Sequence, residues 1–159
     1  MLNVRLICVG SLKEKYLKDA IAEYEKRLSS FCKFETVELK EYKLPENPSD
    51  ASVETALADE AERILRAVPP KSYKIALCVE GKMLSSEELA KRIESVTATH
   101  GAICLIIGSS HGLAPSVKSA ADLRLSVSAL TFPHQLMRVM LLEILYRCEN
   151  IIKGTKYHK

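Results

Sequence analysis

The chain has 159 residues, 47% of them apolar and 27% charged, with a formal net charge of +3. That is enough for one domain with a real core and an ordinary soluble composition, and too little charge to hold nucleic acid by charge alone. No run of about 18 apolar residues is present to span a membrane, and the opening Met-Leu-Asn-Val-Arg-Leu-Ile-Cys-Val-Gly is too short and too soon interrupted for a signal peptide.

Leu2 to Val9 reads as a central strand, turned at Gly10-Ser11. From Lys13 to Leu28, Tyr16, Leu17, Ala20, Ile21, Tyr24 and Leu28 recur at helical spacing. Phe34 to Leu39 alternates as a strand. Glu41 to Asp50, with Pro45 and Pro48, reads as a flexible loop. Val53, Leu57, Ala61, Ile64, Leu65 and Val68 mark a second helix, stopped by Pro69-Pro70. Tyr73 to Val79 predicts a strand. Ser85-Ser86-Glu87-Glu88 supplies a hydroxyl cap and first-turn acids to a helix running to about Ala98. Ala102 to Ile107 is the most apolar strand and ends at Gly108. A loop to Pro115 and a short helix lead to a last strand, Leu123 to Val127. A long helix begins near Pro133 or His134.

Strands alternating with helices, two of them unbroken apolar runs, predict an α/β fold with a mostly parallel sheet and helices on both faces. No repeat, low-complexity stretch or linker divides residues 1–159, so a single domain is expected. The five cysteines form no CxxC pair, which favours reduced, buried thiols in a cytosolic protein and argues against a metal site. The long helix is apolar on nearly every side. A domain this small offers it no interior wide enough, so a second copy of the chain is the expected partner. Residues 153–159 hold Lys153, Lys156 and Lys159 and no acid, and carry the whole formal excess.

Ligands of open α/β sheets sit beyond the carboxyl ends of strands. Three such ends are marked here, at Leu77 to Gly81, Gly108 to Gly112 and Val127 to Phe132. Neither GxGxxG nor GxxxxGK[ST] is present, which argues against a dinucleotide dehydrogenase or an ATPase. A ligand held by backbone and apolar contacts fits better, such as the adenosine end of S-adenosylmethionine.

Gly81-Lys-Met-Leu-Ser-Ser-Glu87, Ile107-Gly-Ser-Ser-His-Gly-Leu113, Thr131-Phe-Pro-His-Gln-Leu-Met-Arg138 and the closing Gly154-Thr-Lys-Tyr-His-Lys159 resemble the ribosomal large subunit methyltransferase H family of the SPOUT class. The resemblance runs the full length, in order. It implies a trefoil-knotted fold, a homodimer and bound S-adenosylmethionine. It also implies a substrate, N3 of pseudouridine 1915 in helix 69 of 23S rRNA. By the same resemblance the cofactor contacts fall on Leu77, Gly108, Val127, Ser128, Ala129, Leu130, Thr131 and Phe132. Ser109 and His111 depart from the family's usual Ile-Gly-Gly-Ser-Asn-Gly.

Methyl transfer to a ring nitrogen is an in-line displacement, so alignment dominates, with a base nearby to take the N3 proton. His158 and Tyr157 of the tail are candidates for substrate contact. Arg138, one turn after His134, is a candidate for a phosphate or uracil carbonyl across a dimer, with an intersubunit salt bridge as the alternative. His134 and His100 read as structural, and Glu143 and Arg147 as a pair along the helix. Three lysines and a tyrosine could also grip phosphate and stack on a base. The modest total charge favours structured rRNA in an assembled ribosome over free RNA. The rival expectations are a non-catalytic ribosome- or RNA-binding module of the same fold and a related tRNA methyltransferase.

Overall fold

The computed structural model describes residues 1–159. Five strands form one parallel sheet: β1 (Leu2–Val9), β2 (Cys32–Leu39), β3 (Ser72–Lys82), β4 (Ala102–Ile107) and β5 (Leu123–Leu125), in the spatial order β2-β1-β4-β3-β5. The period of two along each strand divides the apolar residues between two layers. Val4, Leu6 and Cys8 of β1, with Ile103, Leu105 and Ile107 of β4, face α1 (Lys15–Leu28), α3 (Ser86–Thr97) and α5 (His134–Ile152). Ile7, Val9, Cys104 and Ile106 face α2 (Asp50–Ala67) and α4 (Pro115–Ala120). Helices therefore cover both faces, and the unbroken apolar run of β4 is the strand buried on both.

Local chemistry fixes the helix ends. Ser85 accepts from the Glu88 amide at 3.1 Å while Glu88 accepts from the Ser85 amide at 2.7 Å, a complete capping box at the start of α3. Ser49 caps α2 by accepting from the Ser52 amide. Helix α5 ends in a Schellman turn. Gly154, at φ +66°, donates to Ile151, and Thr155 donates to Asn150. That turn sends the last residues back along the helix they follow.

Two strand boundaries differ from the pattern in the sequence. β3 runs on to Lys82, and β5 stops at Leu125, short of Val127. Leu77 and Lys82 both pair with Leu125, so residues 78–81 bulge out of the ladder. A side-chain carbon on Gly81 would fall 2.6 Å from the Leu125 carbonyl carbon and 2.7 Å from the Ser126 nitrogen. Only glycine lets the strand return there. The loop from Glu41 to Asp50 is irregular as read up to the start of α2, but α2 pins its beginning. Glu60 accepts from the Tyr42 amide at 3.0 Å, and Arg63 donates to the Lys40 carbonyl.

Helix α5 sinks Leu141, Leu142, Leu145 and Cys148 into its own chain's core, packed against α1 and α3. Leu136 stays exposed, and Val139, Met140 and Ile144 are half-buried. The domain thus hides more of this helix than its composition suggested, and leaves one stripe partly open. All five cysteines are free. Four are buried, and burial pushes the Cys8 thiol up to about 11 and those of Cys32, Cys104 and Cys148 to about 12.

Candidate active site

A crevice of about 480 Å³ opens at the carboxyl ends of β3, β4 and β5. Its walls are the three strand termini that the sequence marks: the bulge after Leu77, the glycine loop after Ile107, and the segment after Leu125. Seven of the eight positions expected to hold a cofactor line it: Leu77, Gly108, Val127, Ser128, Leu130, Thr131 and Phe132. Ala129 is exposed and does not line it.

Gly108 has a steric reason to be glycine. A side-chain carbon there would fall 2.2 Å from the Gly112 carbonyl oxygen and 3.0 Å from Leu113 Cδ2. Gly112, at φ +85°, folds the loop back so that its amide donates to the Ser109 carbonyl at 2.9 Å. The two departures from the family loop are accommodated. Ser109 is buried under this turn, and His111 is exposed at the crevice edge.

The lining is largely apolar, through Leu77, Ile107, Leu125, Val127, Phe132 and Met137. Polar side chains stand among them, including Glu80, His111, Lys118, Thr131 and His134. Lys118 forms an ion pair with Glu80 at the rim and holds its carboxyl below the usual range. Leu130, 73% exposed, and Val79 leave an apolar rim open to solvent. Such a cavity, with exposed loop backbone and a few polar groups, has the size and character of a nucleoside site. That chemistry fits the adenosine end of S-adenosylmethionine. Glu80, Lys118 and Met137 were not legible as site residues. Glu80 lies in the marked end Leu77 to Gly81 and Met137 in the Thr131 to Arg138 motif, but neither pattern singles out those side chains, and Lys118 arrives through α4, which carries no motif.

The three residues expected to perform chemistry lie elsewhere. Arg138 is 2% exposed and turned inward. It donates from Nη1 to Glu38 Oε2 at 2.6 Å and from Nη2 to the Gly10 carbonyl, and its Nε has no partner. In this chain it ties the start of α5 to the ends of β1 and β2. Within the single chain its fork is occupied at home, so reaching a substrate or a partner subunit would require these bonds to be exchanged.

Tyr157 and His158 of the tail are half-buried, while Lys153, Lys156 and Lys159 stay exposed. The Tyr157 hydroxyl donates to Glu143 Oε2 at 2.9 Å, its ring meets Tyr146 edge-on at 4.8 Å, and the Arg147 guanidinium lies over it. Burial and the Glu143 hydrogen bond push the Tyr157 phenol up. Burial alone would raise the Glu143 carboxyl. Hydrogen bonds from Tyr24, Tyr157 and Arg147 outweigh it and hold that carboxyl below its ordinary range. The Glu143–Arg147 pair along the helix is present at 2.7 Å, as its spacing predicts. His158 Nε2 lies 2.8 Å from Glu87 Oε1 at the start of α3, and its Nδ1 lies 3.4 Å from Arg147 Nη1. Arginine can only donate, so in this arrangement Nδ1 accepts from Arg147 and the Nε2–H donates to Glu87. From Met137 in the crevice, Glu143 and Arg147, which hold the tail, lie about 9 and about 15 Å along the axis of α5. His100 is bonded to its neighbour Thr99 and packs on Tyr73, and His134 stands at the crevice edge.

A family model described as "Predicted SPOUT methyltransferase" matches residues 2–158. A protein named ribosomal RNA large subunit methyltransferase H from Streptococcus thermophilus strain CNRZ 1066 is 50% identical, over 99% of this chain and 100% of its own. One of the same name from Limosilactobacillus reuteri strain DSM 20016 is 48% identical over the same shares. The solved structure of a probable methyltransferase from Bordetella pertussis Tohama I superposes with a TM-score of 0.58 at 17% identity. The match covers 92% of this chain and 95% of that one, and speaks to the fold alone.

Proposed function

The chain belongs to the SPOUT methyltransferase family, and from that premise we propose that it methylates large-subunit ribosomal RNA with S-adenosylmethionine as donor. The target in this reading is N3 of pseudouridine 1915 in helix 69 of 23S rRNA, in an assembled cytoplasmic ribosome. The enzyme acts as a homodimer of knotted single domains spanning 1–159. The observation that carries the reading is the crevice at the three strand ends, with seven of the eight expected cofactor positions along it. The names of the relatives supply the substrate class.

The donor, when bound, supplies an electrophilic methyl on a sulfonium that becomes neutral as the methyl leaves. The protein has to align that methyl with the ring nitrogen, keep water away and accept a proton. Leu77, Val127 and Phe132 exclude water, and the Gly108–Gly112 turn brings backbone against the ligand without side chains in the way. An N3–H between two carbonyls is a weak acid, so its proton must leave near the moment of attack. His158 is the tail group whose Nδ1 can receive it once the contact with Arg147 is exchanged for substrate. Tyr157, held protonated by burial and Glu143, orients the base. Crevice and tail stand at different turns of α5, which supports a site completed by the partner's tail. The open stripe along α5 gives that partner a surface.

The test is incubation of the protein with labelled methyl donor and ribosomes lacking the modification, followed by mapping of the label. Label on one nucleotide of helix 69 is expected. Label on tRNA, or none with S-adenosylmethionine bound, would overturn the assignment in favour of a tRNA enzyme or a non-catalytic module.

A further inference from the structure

A second, larger basin of about 800 Å³ adjoins the crevice, at the carboxyl ends of β1 and β2. Ser110, His111 and His134 line both cavities, so the two are continuous. Only three of the basin's seventeen lining residues are apolar, which makes it unlike the crevice and unlike a protein-docking groove. Lys13, Lys40 and Lys43 stand around it, exposed and without an ion-pair partner. Of the acids there, Glu38 is taken up by Arg138, leaving Glu41 and Glu46. Tyr42 is 39% exposed at the same wall.

This wall is held in place. Glu60, 3% exposed, accepts the Tyr42 amide, and Arg63 donates to the Lys40 carbonyl, so α2 fixes the backbone that presents both residues. Gln135 of α5 accepts the Lys13 amide at 3.3 Å and fixes the opposite wall. Spaced cations and an exposed tyrosine on a rigid backbone match a nucleotide strand, in which phosphates alternate with stacking faces.

We propose that this basin binds the nucleotides flanking the methylated base, with Lys13, Lys40 and Lys43 on their phosphates and Tyr42 stacked on an adjoining base. The proposal rests on the rRNA methyltransferase reading above and extends it to how the RNA is held. Glu41 and Glu46 keep the basin from being a general polyanion trap, in line with the small net charge of the chain.

The test compares the full-length protein with a Lys13→Ala, Lys40→Ala, Lys43→Ala triple variant and with Tyr42→Ala and Tyr42→Phe. The readouts are S-adenosylmethionine affinity, and KM and kcat on modification-deficient ribosomes across a salt series. The triple variant is expected to bind S-adenosylmethionine normally, to raise KM at least about tenfold, and to lose about one unit of salt slope per lysine. Tyr42→Ala is expected to raise KM at least about fivefold, with recovery in Tyr42→Phe. Unchanged KM and salt slope in the triple variant, while the unaltered protein labels rRNA, would overturn the basin and leave the function standing. No label from the unaltered protein would overturn the function, and the basin's role with it.

Discussion

The two ends of helix α5 are built in opposite ways. Around its start the backbone is irregular, glycines are required by contact distances of 2.2 and 2.6 Å, and apolar side chains such as Leu130 face solvent. Around its end the tyrosine and histidine of the tail are paired. Tyr157 meets Glu143, Arg147 and Tyr146, and His158 meets Glu87. The first end is shaped to receive something that the chain does not supply. The second is a small ordered assembly that presents the terminal residues. A helix too rigid to fold back on itself keeps the two apart.

The sharpest way to break this comparison is removal of Tyr157 to Lys159. The crevice should be untouched, so S-adenosylmethionine affinity should stay within about twofold by calorimetry. Transfer to ribosomes should fall about 10²- to 10⁴-fold, the usual worth of a positioned acid or base. Loss of donor affinity in that variant would mean that the two ends are not separable. The complementary change is Gly108→Val. Its added carbons must displace the Gly112 carbonyl, an overpacking cost of about 1–3 kcal/mol. Donor affinity should drop up to about a hundredfold, with the tail's ring signals in NMR unmoved. Arg138→Met separates anchoring from chemistry. It removes the tie to Glu38 and Gly10 and should cost about 2 kcal/mol in urea unfolding. It also frees Glu38 at the wall of the basin, so KM on ribosomes should rise while donor affinity in the crevice stays within about twofold.

The smallest expected effect is that of pH on the tail. Glu143 is held below its ordinary value of 4.5 by its hydrogen bonds. Its contribution to holding Tyr157 is therefore complete above that value and is lost as pH falls through the lowered one. The Tyr157 ring signals should shift toward those of a free tyrosine only below about pH 4.5. A midpoint above that value would point to another group.

Local chemistry made much of this legible in the sequence. Ala102 to Ile107 is the strand its composition suggests, Ser85 caps the helix its spacing suggests, and Glu143 pairs with Arg147 four residues on. The bulge at 78–81 was not legible, because it depends on Gly81 meeting β5, more than forty residues later. Nor was the inward turn of Arg138, whose partner Glu38 lies 100 positions earlier, or the His158–Glu87 pair, 71 apart. Spacing reports on neighbours along the chain, while these contacts belong to the sheet order. The crevice was legible because two of its three strand termini carry glycines, at Gly81 and at Gly108 and Gly112. The basin beside it was not, because lysines in a loop look alike until the loop is pinned.

The central claim is that each site joins one protomer's crevice to its partner's tail. Mixing the tail-deleted protein with the Gly108→Val protein, after subunit exchange, tests it directly. Random pairing makes half the dimers mixed, each with one intact site, so methyl transfer to ribosomes should return to about a quarter of the unaltered level. Mixed dimers as inactive as either parent would contradict the account and put crevice and tail of one site on the same chain.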